Sequence, residues 1–178
     1  ITVGGMAIIL LISTCGYFVN ATTNWFTGFP LKNKYQTLNA TAYIENAIPE
    51  DAAAIRWLNK NITGQPTVLE ACGDSYKDYD NRVSAMTGLP TVLGWYVHEW
   101  LWRDSLDGIS ARISDIDYLY STSTDTEEVK KIIKKYNIEY IFFGTRELEK
   151  YGTAVKEDVK KLGDVIYEDD GAFIVKVK

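Results

Sequence analysis

The chain has 178 residues, 46% of them hydrophobic, with 19 Lys and Arg against 24 Asp and Glu, giving a formal charge of -5 and a pI near 5.0. This acidic balance, without a basic run or patch, excludes nucleic acid and an anionic membrane surface as electrostatic partners. The two cysteines, Cys15 and Cys72, stand far apart in the chain and make no CxxC pattern, and a single histidine leaves a zinc centre short of ligands, so no metal and no cofactor is expected.

Residues 1–19, ITVGGMAIILLISTCGYFV, carry no charge, and every Lys, Arg, Asp and Glu lies after them. An apolar run of about 18 or more residues is long enough to cross a hydrocarbon core of about 30 Å, so a transmembrane helix is expected over 1–19. The other reading is a buried core helix, because Gly4, Gly5, Ser13, Thr14 and Gly16 dilute the run. The same small residues suit close packing in a multi-pass bundle. The run lacks the basic start and cleavage site of a signal peptide and is expected to be the last span of a longer protein.

Residues 20–48 read as a juxtamembrane connector, extended and with some strand character. No Lys or Arg stands between Val19 and Lys32, and the positive-inside bias then favours an extracytoplasmic location at the cell membrane for the domain beyond the connector. Sequons at Asn20, Asn39 and Asn61 point the same way and are the candidate glycosylation sites.

Residues 49–178 have the charge and apolar content of one α/β domain. In IPEDAAAIRWLNKNITG, Pro49 stands at a first helical position, and Glu50 and Asp51 sit at the positive end of the helix dipole. Ala54, Ile55 and Leu58 form an apolar face before Gly64. PTVLEA, PTVLGW and YNIEYIFFG read as strands, and DTEEVKKIIKKY as a helix with Val129, Ile132 and Ile133 on one face. TRELEKYG and TAVKEDVKKLG come next as short polar helices with Leu148, Val155, Val159 and Leu162 inward. GDVIYEDDGAFIVKVK reads as a hairpin in which Gly171 takes a positive φ. The expected fold is a small, mostly parallel sheet flanked by helices, with a C-terminal β-hairpin, preceded by one transmembrane helix.

In open parallel sheets ligands bind at the carboxyl ends of the strands. PTVLEA delivers Glu70 there, ahead of a loop with Asp74, Tyr76 and Arg82; PTVLGW leads into Trp95, His98, Glu99, Trp102 and Arg103. Carboxylates suit hydroxyl groups, and arginines suit phosphates. Tyr and Trp faces suit sugar rings, and Trp also suits a membrane interface. His98 can shuttle a proton near neutral pH or orient Glu99 or a loop carbonyl. The bland alternative makes His98, Glu99 and Arg103 a buried ion-paired network with the tryptophans as core. HEWLW lacks the second histidine of a helical zinc site, no G-x-S-x-G elbow occurs, and TGLPTVLG lacks the lysine of a phosphate loop.

The order AIRWLNKNITGQPTVLEACGDSY, NRVSAMTGLPTVLGWYVHEWLWR, YNIEYIFFGTRELEKY, from about Asp51 to Tyr151, resembles the carboxyl-terminal region of the YYY family. These are uncharacterised multi-pass membrane proteins of archaea and bacteria. The chain departs from the family pattern at Leu101, where a more polar residue is expected, and at Asp104, where glycine is expected. The family in turn resembles GT-C glycosyltransferases, cell-envelope enzymes that take sugars from polyprenyl-phosphate donors. The resemblance implies an extracytoplasmic domain that helps position such a sugar or its glycan acceptor, with the main catalytic acid outside this chain. The alternative is a non-catalytic extracytoplasmic scaffold or recognition domain.

Overall fold

The computed structural model describes residues 3–28, 41–77, 79–121 and 127–178. The chain divides into two compact units, Ile1–Tyr43 and Ile44–Lys178. The first contains the apolar helix α1 (Val3–Gly28), whose stretch Val3–Thr23 is long and apolar enough to cross a membrane, with a mean hydropathy of 1.7. Residues 20–28 continue this helix, and α2 (Ala42–Ala47) is also helical, so the described parts of 20–48 are not the extended segment expected. Asn39 lies outside the described residues.

The second unit is an α/β domain whose elements are α3 (Pro49–Asn61), β1 (Thr67–Leu69), α4 (Arg82–Thr87), α5 (Tyr96–Arg103), α6 (Asp107–Ser121), α7 (Glu127–Tyr136), β2 (Ile138–Phe143), α8 (Thr145–Tyr151), α9 (Lys156–Lys160), β3 (Gly163–Glu168) and β4 (Phe173–Val177). Pro49 opens α3, where its missing N–H costs nothing. In α7, Glu127 and Glu128 occupy the first turn and Lys134 and Lys135 the last, both complementing the helix dipole.

The four-stranded sheet has the order β1-β2-β4-β3. β1 pairs parallel with β2, while β4 pairs antiparallel with both β2 and β3, so the C-terminal hairpin makes the sheet mixed. PTVLGW does not form the strand expected of it. It contributes one parallel bridge, Thr91 to Val68, and the Val68 N–H donates to the Pro90 carbonyl at 2.9 Å. Pro90 has no N–H for a ladder, and the chain turns into α5 after Trp95. Gly171 does not need a positive φ in the hairpin turn; the left-handed glycines among the described residues are Gly64, Gly88 and Gly152. What Gly171 permits is close approach, since a Cβ there would lie 2.8 Å from the Glu50 Cβ.

Strand alternation builds two cores. Val68, Tyr140, Phe142 and Ile174 face Ala54, Ile55 and Leu58 of α3 together with Val83 of α4. Leu69, Ile141, Phe143 and Val175 face Ile116, Leu119 and Tyr120 of α6 and Val129 and Ile132 of α7. Helices therefore cover both faces of the sheet, as a strand reading IEYIFF requires. The buried Tyr120 hydroxyl lies 2.6 Å from the Phe142 carbonyl and 3.2 Å from that of Leu69, linking the carboxyl ends of β2 and β1. Tyr120→Phe should lower stability by about 1–2 kcal/mol in urea melts, the cost of buried carbonyls losing a donor.

Candidate functional site

β1 and β2 end side by side, and the segments that lead away from them enclose a cleft of about 520 Å³. One wall is the loop after β1, with Cys72, Gly73, Asp74, Lys77 and Asp80; the other is α8, with Arg146, Glu149 and Lys150. Tyr96 and Ile113 add apolar surface. The sequence places a site at the carboxyl ends of PTVLEA and PTVLGW; the cleft adjoins the first, but its second strand is β2, and of the residues picked out only Asp74 lines it.

Beneath the cleft lies a buried ionic hub. Arg82, only 2% exposed, donates through Nε to Asp51 and through Nη2 to Glu147 at 2.6 Å. Asp51 also accepts from the Thr145 N–H and hydroxyl, each at 2.9 Å. Glu147 accepts from the N–H of Ala71 at 2.7 Å and of Gly144 at 2.9 Å. One guanidinium thus ties α3, α4, the end of β1 and the start of α8 together. Burial pushes the Glu147 carboxyl up, but Arg82 and the hydrogen bonds outweigh it and hold the group below its ordinary range. Glu70 is also buried, and its two oxygens accept the first amides of α4, Val83 and Ser84, at 2.9 Å. Burial raises its carboxyl against the pull of Arg82 and those hydrogen bonds. Glu70 and Arg82 therefore support the cleft from below and present no group to a ligand.

The other sequence-chosen residues lie nearer the surface. Asp74 lines the cleft and pairs with Lys77. The rings of Tyr76, Trp95 and His98 form a cluster with centroids 4.6–5.5 Å apart. Trp95 Nε1 donates to the Asp80 carbonyl at 3.2 Å, which joins this cluster to the cleft wall. His98 Nδ1 is buried without a partner among the described residues. Glu99 accepts from the Gly94 N–H at 2.7 Å and from Arg103 Nε at 3.1 Å, bracing the entry to α5. The ion pair foreseen around His98, Glu99 and Arg103 thus reduces to Glu99 with an exposed Arg103. Trp102 points away into solvent, 87% exposed. Asn61 is exposed at the end of α3, with Nδ2 donating to the Trp57 carbonyl, whereas Asn20 lies inside the apolar stretch of α1.

Asp104 ends α5 in the left-handed region at φ 53. Glycine takes that conformation without Cβ strain, and the helix carboxyl end disfavours an acid. Asp104→Gly should therefore raise the thermal midpoint, by up to about 1 kcal/mol of stability.

Asp80, Arg146, Glu149 and Lys150 also line the cleft, although no local sequence pattern singles them out. Arg146 Nε holds Asp80 at 2.7 Å and its Nη1 pairs with Glu149. Lys150 reaches Asp117 at 2.8 Å and the Cys72 carbonyl at 3.0 Å. Burial pushes the Cys72 thiol up to about 11, so it faces the cleft as a neutral thiol and not as a nucleophile. Among the described residues no three His, Cys, Asp or Glu side chains converge as a metal site would require. The cleft lining carries Asp74, Asp80 and Glu149 against Lys77, Arg146 and Lys150, an even balance of fixed donors and acceptors.

No family model matches the chain. No curated protein matches it either. Among solved structures it is similar to the C-terminal globular domain of an oligosaccharyltransferase from Archaeoglobus fulgidus, at 12% identity and a TM-score of 0.45, covering 71% of this chain and 95% of that one.

Proposed function

We propose that residues 49–178 form the extracytoplasmic, substrate-positioning domain of a GT-C-like membrane glycosyltransferase, anchored at the cell membrane through α1, and that the cleft holds the sugar of a polyprenyl-phosphate donor or its glycan acceptor. The observation that carries this reading is the charge balance of the cleft. Each lining base already faces an acid: Lys77 faces Asp74, Arg146 faces Asp80 and Glu149, and Lys150 faces Asp117. A phosphate would have to displace those acids, whereas a neutral polyol can bridge the pairs, donating to carboxylates and accepting from cations. The Tyr76, Trp95 and His98 rings beside Asp80 supply the apolar faces on which sugar C–H surfaces pack.

Phosphate recognition by Arg82 is set aside because its side chain is fully buried between Asp51 and Glu147. Positioning, and not bond-making, is the chemistry this chain supports, since holding reactants in register lowers a barrier without any group here touching the reacting bond. In the full-length protein, Arg146→Ala should reduce sugar transfer from a lipid-linked donor by about tenfold per folded molecule, the equivalent of roughly 1.4 kcal/mol, with folded yield measured alongside because the buried Asp80 loses its cation. Unchanged transfer would leave the second reading, a non-catalytic recognition scaffold. The hub favours that reading to the extent that it makes Glu70 and Arg82 structural.

A further inference from the structure

α5 contributes no buried residue to the domain. Its outer half and the turn after it instead expose Trp100 (40%), Leu101 (65%), Trp102 (87%) and Leu106 (48%). On an eight-residue helix these side chains point in several directions, so they form an apolar tip and not a stripe that one neighbouring helix could cover. Large apolar side chains exposed this close together in the chain are candidates for docking.

We infer that this tip inserts into the headgroup and acyl boundary of an uncharged bilayer surface. The inference rests on the membrane anchoring proposed above. Three observations select lipid as the occupant. The same chain carries an apolar helical stretch, Val3–Thr23, long enough to cross a membrane. The tip is rich in tryptophan, the side chain that concentrates where apolar and polar layers meet. Its charged flank is mixed, Arg103 against Asp104 and Asp107, so apolar burial and not attraction to anionic lipid would hold it.

The test uses the whole chain in phosphatidylcholine vesicles, with Cys72→Ala throughout and one environment-sensitive fluorophore at a time: on native Cys15, or on Leu101→Cys or Lys131→Cys in a Cys15→Ser background. Leu101 and Lys131 are both exposed, so neither label disturbs packing. The expected result is a blue-shifted emission, quenched by lipid-borne quencher, at positions 15 and 101, and iodide quenching alone at 131. Lipid quenching at 15 but iodide quenching at 101 would overturn the inference while leaving the anchor intact. Shielding of 101 from both quenchers would assign the tip to a protein partner and overturn it equally. Iodide quenching at both 15 and 101 would remove the anchor as well.

Discussion

Arg82→Ala is expected to cost about 3–5 kcal/mol of folding stability, the usual penalty when one partner of a buried ion pair is removed. The variant leaves the fully buried carboxylates of Asp51 and Glu147 without their cation. Those two acids also hold the backbone of Ala71, Gly144 and Thr145, so the damage reaches both walls of the cleft. The pH dependence identifies the cause. In the wild type the Glu147 carboxyl lies below its ordinary range, so its contribution is fully present above the unfolded-state value and is lost as pH falls through the folded-state value. Without Arg82 the burial that raises the Glu147 carboxyl is left largely unopposed, so this group is expected to sit above its unfolded value and to gain a proton on folding. The gap between variant and wild type should then narrow as pH falls toward 4. Urea melts across that range measure it, and a gap that stays constant would mean the loss is one of packing, including the guanidinium stacked 5.1 Å from the Phe142 ring.

Gly73→Ala is the second large effect, because it couples the fold to the cleft. A Cβ at position 73 would lie 2.1 Å from Asp80 Cγ and within 2.4 Å of both carboxylate oxygens. Asp80 cannot swing aside cheaply: its side chain is 2% exposed and Arg146 grips Oδ1 at 2.7 Å. The added methyl should therefore cost about 1–3 kcal/mol, as overpacking does, and the displaced Asp80 should release Arg146 and abolish glycan binding. Thermal melts and a binding assay on the same sample check both halves. Binding preserved at wild-type strength would show that the Asp80–Arg146 pair is not part of the site.

The elements most legible in the sequence are those with a clean local period. Pro49 with the acids after it and the Ala54, Ile55, Leu58 face marks α3, the alternating charge ends of EEVKKIIKKY mark α7, and IEYIFF marks the central strand. Residues 104–124 receive no assignment from the sequence, although Ile109, Ile113, Ile116 and Tyr120 keep to the helical period of α6. Gly108 and a polar majority dilute that signal. PTVLGW has strand composition, yet Pro90 and the turn into α5 limit it to a single bridge.

The sequence points to the carboxyl ends of PTVLEA and PTVLGW. The first is β1, whose end adjoins the cleft, but PTVLGW forms no strand and the strand beside β1 is β2. Arg82 reads as a phosphate ligand when seen alone; its partners Asp51 and Glu147 lie 31 and 65 residues away in sequence, and no local pattern announces that a fold will bury all three. Arg146 and Lys150 look like the solvated face of a short polar helix, and only the placement of α8 beside the loop after β1 turns them inward.

The most direct test of the cleft as a glycan site is saturation-transfer NMR between the whole chain in phosphatidylcholine nanodiscs and a neutral hexose oligosaccharide. Wild-type protein should transfer saturation to the sugar ring protons. Arg146→Ala and Asp80→Asn should lose that transfer, and Lys131→Ala, on the exposed face of α7, should keep it. Equal transfer from the cleft variants and the wild type, or none from the wild type, would contradict the assignment.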